Sequence, residues 1–163
     1  MNIYQRLNVS RVINGRGPAT IFGAAQVSGE VRQDVYDILD ASVQIWELQK
    51  RASEAIVRLT GAEAGCVTGC TAAGIAVCVA AVLTGDNVAR IKKLPTVDWS
   101  PKKIIIQKGH ITGAGDAPIS QVIQMTGAQV VEIGEALDCA TFHLQEELDE
   151  DVAGAVYVMG DVF

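Results

Sequence analysis

Residues 103–134, KIIIQKGHITGAGDAPISQVIQMTGAQVVEIG, carry the pattern that decides the fold. The stretch opens on a short β-branched run, Ile104-Ile105-Ile106, that leads to Gly109 and His110 and reads as a buried strand whose carboxyl end delivers His110. Gly113, Gly115 and Pro118 then mark a loop, Ile119 to Thr126 a short helix, and Gly127 to Gly134 a second strand. The acidic amphipathic stretch Thr141 to Leu148 and the apolar run Val152 to Met159 repeat the alternation. Strands alternating with helices predict an α/β fold: a mainly parallel sheet with helices on both faces. In such folds ligands are held beyond the carboxyl ends of the strands.

Working backwards, Gly61 to Gly85 is a small-residue turn opening into a helix with no charge until Asp86. A helix that starts Gly69-Cys70-Thr71-Ala72-Ala73 presents unpaired backbone N–H groups and a positive dipole end with no bulky side chain in the way, and so reads as a phosphate seat. Thr68 and Thr71 are expected to add hydroxyl donors. From Ile75 to Leu83 the helix is apolar on every side and is expected to lie deep inside the protein. Thr84 to Asn87 reads as a turn and Leu94 to Pro101 as a loop.

The first 60 residues read as an N-terminal arm followed by helices. Met1 to Val27 is expected to be irregular or extended, with Val9 to Ile13 a short strand before the glycine loop Asn14-Gly15-Arg16-Gly17-Pro18, where Arg16 is placed to meet an anion. Ser28 is a natural N-cap, with Glu30 in the first turn, for a helix carrying Val31, Val35, Ile38 and Leu39 on one face. A second amphipathic helix carries Ile45, Leu48, Ala52, Ala55, Ile56 and Leu59 and stops at Gly61. Both helices are expected to cover a core, with Trp46 in the packing.

Composition narrows the function. In 163 residues, 49% are hydrophobic and 20% charged, which suits a globular α/β chain and not a disordered one. A net charge of -6 with scattered basic residues argues against nucleic-acid binding by this chain. The apolar part of the central segment is shorter than a membrane span, and no signal peptide is visible, so the chain reads as cytoplasmic. Cys66, Cys70, Cys78 and Cys139 do not resemble a secreted disulfide framework. They lack the spacing of a zinc site and read as buried small hydrophobes or turn residues, so no metal is expected. His143, on the acidic helix, reads as a solvated surface residue.

Several of these stretches together resemble pyridoxal-phosphate-dependent enzymes of the aspartate-aminotransferase fold. They are the Asn14-Gly15 loop, Leu59-Thr60-Gly61-Ala62-Glu63, the Gly69 to Ala73 helix start, the strand leading to His110, and Gly127 to Gly134. Within that superfamily the chain is similar to the group of bacterial selenocysteine synthase and its relatives without a tRNA-binding domain, such as D-glucosaminate-6-phosphate ammonia-lyase. The resemblance implies that Gly69, Cys70 and Thr71 hold the cofactor phosphate, and that His110 stacks on the pyridine ring and serves as a possible proton shuttle. It also implies Asn14 and Arg16 near the substrate, an amino acid or amino sugar as that substrate, elimination or β-replacement as the reaction, and a homo-oligomer.

The resemblance is to the N-terminal half of such enzymes. Residues 61–163 correspond to the first part of the cofactor-binding domain. The lysine that forms the Schiff base and the aspartate that pairs with the pyridine nitrogen have no counterpart here: Lys108 precedes His110, Lys50, Lys92, Lys93, Lys102 and Lys103 fall on surfaces or turns, and Asp161 comes one strand too early. Cofactor binding by this chain alone is therefore expected to be weak or absent. Two alternatives stand beside this reading. One is a non-catalytic interaction or scaffold fragment that keeps the fold. The other is a nucleotide binder using the same helix start, against which stands the absence of GxGxxG and GxxxxGK[ST].

Overall fold

The computed structural model describes residues 1–23, 25–111 and 117–159. Two compact units divide the chain, Met1–Ala55 and Ile56–Phe163.

In the first unit, α1 (Ile3–Leu7) stands where an irregular arm is expected, because Asn2 and Gln5 form a reciprocal capping box. The stretch Val9 to Ile13 is not a strand. Its apolar residues find no partner strand, and a lone extended segment leaves its backbone groups to water. The helix α2 (Gly29–Leu39) begins as expected, with the Ser28 hydroxyl accepting from the Val31 N–H and Glu30 in the first turn. The next helix, α3 (Ile45–Thr60), continues past Ala55 into the second unit and ends at Gly61, whose φ of +74° lets the chain turn away. Neither helix contains a buried residue; Val35, Leu39 and Trp46 are exposed. The expectation that they cover a core is corrected for α2, whose apolar residues are all exposed, whereas in α3 Ala52, Ala55, Ile56 and Val57 are half-buried.

The second unit is built on three parallel strands, β1 (Lys103–Gln107), β2 (Gln129–Ile133) and β3 (Val152–Val156), in the order β2-β1-β3. The triple isoleucine of β1 is central and buried on both faces, as a continuous apolar run requires. Burying each isoleucine is worth about 1.5–3 kcal/mol. From β1 the chain moves through α6 (Ile119–Gln124) to β2 on one side, then through α7 (Thr141–Glu147) across β1 to β3 on the other. Parallel crossovers are right-handed, so two that run in opposite directions put their helices on opposite faces.

The packing follows that rule. Ile104 and Ile106 join Val79, Leu83, Ile123 and Ala128 in one core, made with α6 and with α4 (Thr71–Thr84). Ile105 points the other way, into a groove of about 260 Å³ that it shares with Ile133, Ala155, and Thr141 and Leu144 of α7.

The interior position expected for α4 is also corrected. Its inward stripe is half-buried Ile75 with buried Val79 and Leu83, while Val77 and Val82 are each 52% exposed and Cys78 is exposed. The short helix α5 (Val88–Lys93) was not expected; Asn87 caps it by accepting from the N–H groups of Ala89 and Arg90. The segment that follows is tied back to α4 by Trp99. Its indole N–H donates to the Leu83 carbonyl at 2.8 Å, and the Arg90 guanidinium lies 5.4 Å from the ring centroid. No helix among the described residues is long and apolar enough to cross a membrane.

Candidate functional site

The strand order reverses beside β1: β2 lies to one side and β3 to the other, reached over opposite faces. A crevice opens at such a switch point, outside the carboxyl ends of the two strands, and open parallel sheets bind ligands there. Three elements meet at this end. Beyond β1, residues Lys108–His110 form a tight 3-10 turn. Beyond β3 come Tyr157 and Val158. The first turn of α4 approaches from one face: Thr71, Gly74, Ile75 and Cys78 line an open groove of about 330 Å³ with Val156, the last residue of β3.

His110 sits where the sequence predicts, at the end of its strand. Its ring meets Tyr157 edge to face, with centroids 4.5 Å apart and planes at 89°. Its Nδ1 accepts from the Val158 N–H at 3.4 Å. Gly109 makes the turn possible, since a Cβ there would lie 2.7 Å from the Ala136 carbonyl oxygen. A second cavity of about 170 Å³ opens on the other side of His110, lined by Gln107, Gly109, Glu135 and Asp138 among others. Thus Thr71 and His110 are joined through the end of β3: Thr71 shares a groove with Val156, and the next residue, Tyr157, touches His110.

The helix start suits an anion. Cys70 is the N-cap, and its Sγ accepts weakly from the Ala73 N–H at 3.5 Å. The helix itself supplies no acceptor for the Thr71 and Ala72 amides. A Cβ on Gly69 would meet nothing within 4 Å, so the approach is open. One expected donor is lost: the Thr68 hydroxyl donates inward to the Cys70 carbonyl at 3.1 Å. These residues therefore fit a phosphate group, with backbone amides and the Thr71 hydroxyl as its donors.

Other expected residues fall elsewhere. Asn14 and Arg16 belong to the first unit. There the Asn14 side chain folds its own loop, donating to the Gly17 carbonyl at 2.8 Å and accepting from the Arg16 N–H at 2.9 Å. Gly113, Gly115 and Asp161 lie outside the described residues. Cys66, Cys70 and Cys78 are exposed free thiols and Cys139 is half-buried, so the expected burial of the first three is corrected. No group of residues suited to a metal ion occurs among the described residues. His143 is not merely solvated: its Nδ1 accepts from the Ala140 N–H at 3.1 Å, capping α7, and its ring packs on Phe142.

Among the described residues no lysine lines the grooves at Thr71, Val156 and His110. Lys103 is at the amino-terminal end of β1, opposite the site, and pairs with Asp149 at 2.5 Å. That hydrogen bond raises the lysine pKa above its ordinary value and lowers that of the aspartate. Lys108 lines a separate polar cavity with Glu132, Glu135, His143, Glu146 and Glu147, beside β2. Tyr157 and Val158 are the site residues that sequence reading missed. Their link to His110 spans 48 positions for Val158 and leaves no periodic trace.

In sequence and in fold the chain is homologous to part of a pyridoxal-phosphate-dependent lyase. It is 34% identical over 157 residues to D-glucosaminate-6-phosphate ammonia lyase of Salmonella typhimurium, covering 96% of this chain and 42% of the relative. A solved structure of D-glucosaminate-6-phosphate ammonia-lyase superposes with a TM-score of 0.91 at 34% identity, over 98% of this chain and 43% of that one. A second relative, 5'-C-glycyluridine monooxygenase-decarboxylase of a Streptomyces species, is 31% identical over 95% of this chain and 39% of its own length. No family model matches the chain. The chain thus spans about two-fifths of the length of the curated relatives it matches.

Proposed function

We propose that the chain forms the front part of the cofactor-binding domain of a pyridoxal-phosphate-dependent lyase. Its substrate would be an amino sugar acid or a related amino acid, and its reaction an elimination or β-replacement. The observation that carries this is the convergence of the open α4 start and His110 on the crevice between β1 and β3. The names of both relatives describe a sugar skeleton bearing amino-acid functionality, which supports that substrate class. Neither relative supports selenium transfer, the other activity in the group the sequence resembles.

In this reading the amides of Thr71 and Ala72, with the Thr71 hydroxyl, bind the cofactor phosphate at the positive end of α4. Gly69 keeps the approach clear, and Cys70 shapes the turn. His110 offers a flat face to the ring and holds it in place. The bound cofactor would supply an electron sink for a substrate carbanion. Arg16, whose guanidinium has no partner among the described residues, would meet a substrate anion, with Asn14 holding its loop. The same reading includes a soluble homo-oligomer in the cytoplasm, for which the exposed apolar face of α2 supplies contact surface.

A second reading, a non-catalytic fragment that keeps the fold, is favoured by one observation. Among the described residues no lysine lines the cavities at Thr71, Val156 and His110. One experiment addresses both: titration with pyridoxal 5'-phosphate and with phosphate-free pyridoxal, followed by borohydride. The phosphate form should bind the more tightly and leave no borohydride-stable lysine adduct. Gly69→Asp, which has room for its side chain, should weaken that binding about fivefold by setting a carboxylate at the anion seat. Equal binding of the two compounds would overturn the phosphate seat, and a trapped lysine would overturn the second reading.

A further inference from the structure

Across the mouth of the crevice runs a tether that joins the ends of two neighbouring strands. His110 follows β1 and Val158 follows β3, and the Val158 amide donates to His110 Nδ1 at 3.4 Å. A neutral imidazole has one donor nitrogen and one acceptor nitrogen, so accepting at Nδ1 puts the ring proton on Nε2. Tyr157 sets the ring plane through its perpendicular contact at 4.5 Å. Gly109 sets the approach from below, because any side chain there would collide with the Ala136 carbonyl.

We propose that Val158, through its backbone amide, and Tyr157, through its ring, are positioning residues that lock His110 as the Nε2–H tautomer, so that it offers the site a donor and a flat face, not a base. For Nε2 to take a proton from a substrate, the ring would first have to carry its own proton on Nδ1. That proton would face the Val158 N–H, and the tether would break. The proton-shuttle role drawn from the resemblance is thereby replaced by orientation: Nε2–H donates to an acceptor atom of the bound ligand. This assignment rests on the proposed function for its purpose, but the tautomer itself is a property of the unliganded chain.

The chain has two histidines, so the test resolves cleanly. In histidine-labelled protein, long-range proton–nitrogen correlation with both rings neutral should show His110 with an unprotonated, pyridine-like Nδ1 and a protonated Nε2. His143 serves as internal control, because its Nδ1 is held by Ala140 independently of Val158. Val158→Pro removes the donor and should mix the tautomers of His110 while leaving His143 unchanged. His110→Phe keeps a flat ring but removes the acceptor, and should speed hydrogen exchange at the Val158 amide roughly 2- to 10-fold. Tyr157→Leu should abolish the ring-current shift of the His110 carbon-bound protons.

A protonated Nδ1 on His110 in the parent chain, or unchanged exchange at Val158 in His110→Phe, overturns the proposal even where Val158→Pro fails to fold. Failure of this assignment is distinguishable from failure of the proposed function. The expected tautomer without preferential binding of pyridoxal 5'-phosphate sinks only the function, and preferential binding with a protonated Nδ1 sinks only the tether.

Discussion

Gly127→Ala is the substitution for which the structure gives the most definite cost. Gly127 joins α6 to β2 at φ +89°, in the left-handed region, where a side chain costs about 1–2 kcal/mol. A Cβ built there lies 1.9 Å from the Pro95 carbonyl oxygen and 2.8 Å from both the Pro95 carbonyl carbon and Val97 Cγ2. To reach ordinary contact near 3.4 Å, the two backbones must part by about 1.5 Å. Retreat on the Gly127 side disturbs Ala128, which belongs to the core, and on the other side it pulls on Val97, which packs against that core. Overpacking of this kind costs about 1–3 kcal/mol, while the stiffer unfolded chain of an alanine variant returns about 0.4–1 kcal/mol.

The net loss is therefore about 1–5 kcal/mol, a large share of the 5–15 kcal/mol typical of a folded domain. At about 4 °C per kcal/mol for a unit of this size, Tm should fall by about 4–20 °C. The assay is thermal unfolding of the whole chain followed by circular dichroism, with two controls. Gly61→Ala shares the positive φ but meets nothing within 4 Å, and should lose about 1 kcal/mol; Gly69→Ala has neither constraint and should be nearly neutral. A Tm for Gly127→Ala within about 3 °C of that for Gly61→Ala would refute the close approach of Pro95 as the cause.

The other perturbations are smaller. Trp99→Phe keeps the ring over which Arg90 sits but removes the hydrogen bond to the Leu83 carbonyl; unfolding in urea should show a loss of about 1 kcal/mol, and no loss would mean that water replaces the indole. Asp149 is held below the ordinary carboxylate pKa by its hydrogen bonds to Lys103 and to the Asp151 N–H, so it binds fewer protons folded than unfolded. Its contribution is fully present above the ordinary carboxylate range and is lost as pH falls through the lowered value. Lys103 is raised by the same hydrogen bond; its contribution is fully present below the ordinary lysine value and is lost as pH rises through the raised one. Asp149→Asn should therefore flatten both the acid and the alkaline edges of the stability profile, and an unchanged profile would count against the pair.

The contrast between these residues explains what could be read from the sequence. Strand β1 was legible because three consecutive isoleucines fit one environment, the middle of a parallel sheet, and because glycine and histidine mark its end. That rule also placed His110 at a carboxyl end, and the small residues at Gly69 to Ala73 marked the open start of α4, since both depend on local sequence alone. The burial of α4 was misread because apolar chemistry on every side says what a helix tolerates, while burial depends on what arrives to cover it; here the sheet covers Ile75, Val79 and Leu83 and leaves Val77 and Val82 bare. The short helices α1 and α5 are decided by asparagine caps, at Asn2 and Asn87, which outweigh the lack of apolar periodicity. Tyr157 was out of reach for a deeper reason. A tyrosine after a strand has no distinguishing spacing, and its meeting with His110 is created by the reversal of strand order that sets β3 beside β1. The groups that hold His110 in register are thus the ones a linear pattern conceals, because the fold, and not the neighbouring sequence, brings them to it.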